Sequence, residues 1–137
     1  MSLLFLTLFF ISNEQYEIDL ILTGKGNQSF INSSFYLAPS RVKINGDITL
    51  SNIKSYEFKN DSNNVRIKFD GLLESCENMF DGLSSIIEID LSNLDFSKVT
   101  KMSSMFNHCI NLEKITFGNI NTSSVKDMYQ LFTIAIN

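Results

Sequence analysis

Few residues in this chain have the types that carry covalent or metal chemistry. There is one histidine, His108, and there are two cysteines, Cys76 and Cys109. A nucleophile needs a base within hydrogen-bond reach, and no Ser, Cys or carboxylate stands at a spacing that directs it to His108. His108 is therefore read as a solvent-exposed residue. Three scattered Cys and His residues match no metal-ligand pattern, and no glycine-rich phosphate loop precedes a helix. The chain is expected not to be an enzyme and to hold no cofactor. The two cysteines are expected as buried free thiols acting as small hydrophobes, held roughly 10 Å apart by helical rise. Asn27, Asn32, Asn60 and Asn121 each head an N-x-[ST] triplet, which makes them candidate glycosylation sites if a eukaryote secretes the chain.

The bulk composition narrows the partners. The net charge is −4 over 137 residues and no cluster of Lys or Arg is present, so a nucleic-acid surface is not expected. Ser2 to Ile11 is an apolar run of about ten residues, half of the roughly 20 that cross a bilayer, so no transmembrane helix is expected. Residues 1–12 look like the apolar part of a secretory signal, although no Lys or Arg precedes the run and a small-x-small cleavage site is missing.

The elements that would position any site come from internal repetition. Phe80, Phe106 and Phe132 are 26 residues apart, and the same shift superposes Cys76, Met102 and Met128. It also pairs Ile89 with Ile115, Leu91 with Phe117, Asn93 with Asn119, and His108 with Gly82. Ile86, Ile89 and Leu91, then Leu112, Ile115 and Phe117, alternate as a short strand does. Val99, Met102, Phe106 and Cys109 recur at three- and four-residue steps, which predicts one face of a helix with Ser97 as its N-cap, and Ser123 in the next unit. Met79, Phe80, Met102, Met105, Phe106, Met128 and Phe132 are expected at the helix–sheet interface.

The stretch from Ile89 to Cys109 closely resembles the repeat of BspA-like leucine-rich repeat surface proteins, L-D-L-S-N-F-D-T-S-x-V-T-x-M-S-x-M-F-x-x-C. That repeat is shared with a mycoplasma lipoprotein-associated domain. Asn93 comes one position earlier than in the ordinary leucine-rich repeat, so a different turn is expected. The resemblance implies an α/β, leucine-rich-repeat-like solenoid of strand–helix coils over 71–137, and adhesion or host interaction as its use.

Residues 13–70 show no such repeat and read as a β-rich N-terminal cap. Tyr16–Leu22, Arg41–Ile44, Ser55–Phe58 and Val65–Phe69 are strand candidates, the last expected to join the repeat sheet. The chain stops where another strand is due, and a truncated gene is the simplest expectation. The leading expectation for function is a secreted or cell-surface module that binds a protein or glycan. The alternative is a cytoplasmic scaffold or a gene remnant. In a parallel sheet, Glu88, Asp90 and Ser92 should lie beside Lys114, Thr116 and Gly118, and this outward strip is the candidate binding face.

Overall fold

The computed structural model describes residues 16–133. The apolar run read as a secretory signal lies outside the described residues. Eight strands form: β1 (Tyr16–Thr23), β2 (Gly26–Ser29), β3 (Arg41–Ile44), β4 (Ile48–Leu50), β5 (Ser55–Phe58), β6 (Ser62–Phe69), β7 (Ile86–Asp90) and β8 (Lys114–Thr116). Six make one sheet in the order β4-β3-β6-β1-β7-β8, while β2 pairs with β5 in another. Strict alternation explains β1 and β6. Tyr16, Ile18, Leu20 and Leu22, with Val65, Ile67 and Phe69, are buried, and the residues between them point to the opposite face.

The N-terminal strands enter the repeat sheet through a different partner than expected. β1 pairs antiparallel with β7, Leu20 opposite Ile89, and β6 lies on the far side of β1. Alternation specifies which face a strand buries and leaves its neighbour open. β7 and β8 are parallel, with Glu88 opposite Lys114 and Asp90 opposite Thr116, one 26-residue repeat apart.

The expected helices do not form. Among the described residues there is no helix, and the fold is all-β instead of an α/β stack of strand–helix coils. Residues 76–83 and 102–109 run as consecutive β-turns. The Met79, Asp81 and Leu83 N–H groups donate to Cys76, Asn78 and Phe80, and those of Met105, Asn107 and Cys109 to Met102, Ser104 and Phe106. The alternate N–H groups leave the coil. Cys76, Asn78, Phe80 and Gly82 donate to the carbonyls of Lys101, Ser103, Met105 and Asn107 at 2.8–3.1 Å. Met102, Ser104, Phe106 and His108 repeat the pattern onto Asp127, Tyr129, Leu131 and Thr133. A helix would direct every N–H along its own axis; here half of them join one coil to the next.

The backbone enforces this. Asn78, Ser104 and Gln130 have φ of 57°, 54° and 51°, and Gly82 and His108 have 74° and 55°. A right-handed helix does not continue through residues of the opposite hand. The three- and four-residue apolar step is real, but it arises from overlapping turns that start every two residues, each closed by a bond from residue i+3 back to residue i. Ser97 and Ser123 cap nothing. Their N–H groups donate to the side chains of Asp95 and Asn121 in local turns.

Five of the seven Met and Phe residues expected inside are buried: Met79, Phe80, Met102, Met105 and Phe106. Met128 and Phe132 are 46% and 56% exposed. The rings of Phe80, Phe106 and Phe132 stack at 5.8 and 5.1 Å, so that Phe106 covers Phe80 and Phe132 covers Phe106. No further coil covers Phe132 among the described residues.

Candidate functional site

The outward side chains of the large sheet line a groove of about 580 Å³ that crosses five of its strands. Its floor is one row of paired residues: Lys43 on β3, Arg66 on β6, Asp19 on β1, Asp90 on β7 and Thr116 on β8. Asn64, Ile21, Glu88 and Lys114, with Asn45 beside Asn64, form the neighbouring outward row, in which Glu88 and Lys114 make an ion pair at 3.4 Å.

Two neighbouring carboxylates in that row are kept apart electrostatically by separate partners. Arg66 donates to both oxygens of Asp19, at 2.7 and 2.9 Å, and this contact raises the guanidinium pKa further. Asp90 turns instead to Ser92, accepting from its hydroxyl and from its N–H at 2.8 Å. Those two bonds hold the Asp90 carboxyl below its ordinary pKa. The floor therefore carries a fixed anion, Asp90, directly opposite Thr116, while cationic Lys43 stands at the other end of the row beyond Asp19 and Arg66.

Of the residues expected on the binding face, Glu88, Asp90, Lys114 and Thr116 line this groove. Ser92 does not line it and acts by orienting Asp90. The position opposite Ser92 is Gly118, where a Cβ would come within 2.8 Å of the Ser92 backbone. Lys43, Arg66 and Asp19 were missed because they belong to the N-terminal strands. Their alternation marked them as outward-facing, but not as neighbours of Asp90.

The other candidates are dispersed. Asn27, Asn60 and Asn121 are exposed. Asn32 differs: its Nδ2 donates to the Asp81 carbonyl at 2.7 Å and its Oδ1 accepts from Ser34. His108 is exposed and lies 3.3 Å from Asp81. Cys76 and Cys109 are separate buried thiols, although the helical rise used to separate them does not apply. Burial pushes their pKa values up to about 12 and about 11. Among the described residues, no three His, Cys, Asp or Glu side chains converge on a metal-sized site, and no helix is long and apolar enough to cross a membrane.

Residues 74–137, the repeat portion, match a family described as Mycoplasma protein of unknown function, DUF285. The matched stretch starts where the first run of turns begins. No curated protein and no solved structure matches the chain.

Proposed function

We propose that this chain is a non-catalytic, secreted or cell-surface repeat protein that binds a protein or glycan through the outer face of its six-stranded sheet. The observation that carries this reading is the row Lys43–Arg66–Asp19–Asp90–Thr116, which offers donors and acceptors of both charges on a rigid backbone. A floor of paired strands loses little freedom when a partner docks, so the ordering cost of binding is low. The lining includes no aromatic ring on which a sugar face would stack, which favours a polypeptide over a glycan. The resemblance to BspA-like surface repeats is what supports a surface location and an adhesive role.

The test is a protein and glycan array probed with the full chain and with the double variant Asp90→Ala, Thr116→Ala. The expected result is a set of bound features that the double variant loses while its melting temperature stays unchanged. Features bound equally by both proteins would remove the sheet face as the binding site.

A further inference from the structure

The chain as a whole is acidic, with a net charge of −4, yet four of its 11 Lys and Arg residues meet on one patch of the large sheet. Arg41 on β3 lies directly opposite Lys68 on β6, and Lys43 lies directly opposite Arg66. All four alternate with buried neighbours and so point to the outer face. Facing charges of one sign repel across an antiparallel ladder, and here two such pairs follow one another. The fold gains nothing from this arrangement, because a neutral residue at either position would pair the same strands without the repulsion. The linear sequence hides the patch, since its two halves sit on separate strands.

The nearest anions do not cancel it. On β1, Glu17 stands opposite Lys68 and Asp19 opposite Arg66. Asp19 is engaged by Arg66 through both of its oxygens, while Arg41, Lys43 and Lys68 form no ion pair among the described residues. On the other side of β3, the residue opposite Lys43 is the neutral Thr49. Along the strands, the cations give way to Asn45 and Asn64. The patch is therefore two strands wide and two pairs long, about 5 Å by 7 Å between the backbone positions.

We infer that the partner of this sheet face lays an extended acidic peptide segment over β3 and β6, with carboxylates on alternate residues. One carboxylate seats on Arg41 and Lys68, and the next on Lys43 and Arg66. Alternate side chains of an extended peptide point the same way about 7 Å apart, which is the step between the two cation pairs. Each carboxylate lies between two cations and offsets their repulsion, so charge complementarity selects the segment. A uniformly sulfated polymer fits less well. Its charge continues past the two pairs, to the neutral asparagines along the strands or to Asp19, Asp90 and Glu88 across them. The inference rests on the sheet face as the binding surface and adds the chemistry of what it binds.

The experiment follows the fluorescence anisotropy of a labelled peptide of alternating Glu and Ser, titrated with the full chain. A peptide of the same composition with its glutamates consecutive is the control, and a heparin-derived oligosaccharide is the competitor. The alternating peptide is expected to bind more tightly than the control. The variant Lys43→Gln, Lys68→Gln leaves the contact of Arg66 with Asp19 in place. It should bind the alternating peptide about tenfold more weakly, and its melting temperature should be at or above that of the native chain. No binding of the alternating peptide, or equal binding by this variant, would overturn the inference. A lower melting temperature in the variant would show that the two pairs serve the fold, with the same consequence. Preference for the oligosaccharide would assign the cations to a sulfated glycan instead. The two readings fail separately: array features lost on Asp90→Ala, Thr116→Ala would keep the sheet face as a binding surface even if the acidic peptide does not bind.

Discussion

Exchanging Asn32 for Asp keeps the side chain's size and removes the donor that satisfies the Asp81 carbonyl. An acceptor would then face an acceptor in a half-buried place. Asn32→Asp is expected to cost about 1–3 kcal/mol, read as a lower urea midpoint with an unchanged slope. Asp90 supplies a pH-dependent effect of known sign. Its folded pKa is depressed, first by the Ser92 hydroxyl and then by the Ser92 N–H. The contribution is therefore present above the unfolded carboxyl value near 3.9 and is lost as pH falls through the folded value. Solvent screens this exposed site, so the effect on stability is small. The sharper measurement is an NMR titration: Ser92→Ala should move the Asp90 midpoint up towards the ordinary carboxylate value. An unmoved midpoint would show that the hydroxyl is not the cause.

At the scale of the element, the repeated coil was legible in its period and misread in its winding. Spacings of three and four residues place side chains on one side equally well in a helix and in a chain of turns, so Val99, Met102, Phe106 and Cys109 could not separate the two. The overlooked signal was the equivalence of Gly82 and His108, since both glycine and histidine are enriched where φ is positive. Ser104 has the same hand. Ser104→Gly should leave thermal stability within about 1 kcal/mol of the native chain, whereas Ser104→Val should lower it by more than that, because a branched side chain fits poorly there. The phenylalanine ladder makes a graded prediction. Phe106 is 3% exposed, and Phe106→Ala is expected to cost about 3–5 kcal/mol. Phe132, at 56% exposed, should lose a much smaller amount on the same substitution. Equal losses in calorimetry would show that Phe132 is covered after all.

Across the whole molecule, one buried cluster runs from Tyr16 to Cys109, so the N-terminal strands and the first two coils share a core. Half of the candidate groove was readable from the repeat, because a fixed period dictates which residues become neighbours: Glu88 with Lys114 and Asp90 with Thr116. The other half depended on strand order. No local pattern encodes that order, because Asp19 reaches Asp90 only through the insertion of β1 between β6 and β7.

The joining bonds also determine how the molecule answers a mechanical pull. Force applied along the stack reaches the junctions in series, so the weakest one yields first. The junction between the first two coils combines the turn-region bonds with the β7–β8 ladder and with side-chain bonds such as Asn107 to Asp81. The next junction has its turn-region bonds, the Lys126 N–H to Thr100 and the Ser124 hydroxyl to Ser97, with no strand ladder among the described residues. Stretched in optical tweezers, the chain should release the residues that follow β8 (Lys114–Thr116) in a first low-force step. The sheet around β1 should give way only in a second step at higher force. A protein built this way would release the coil that follows β8 under load and keep its groove.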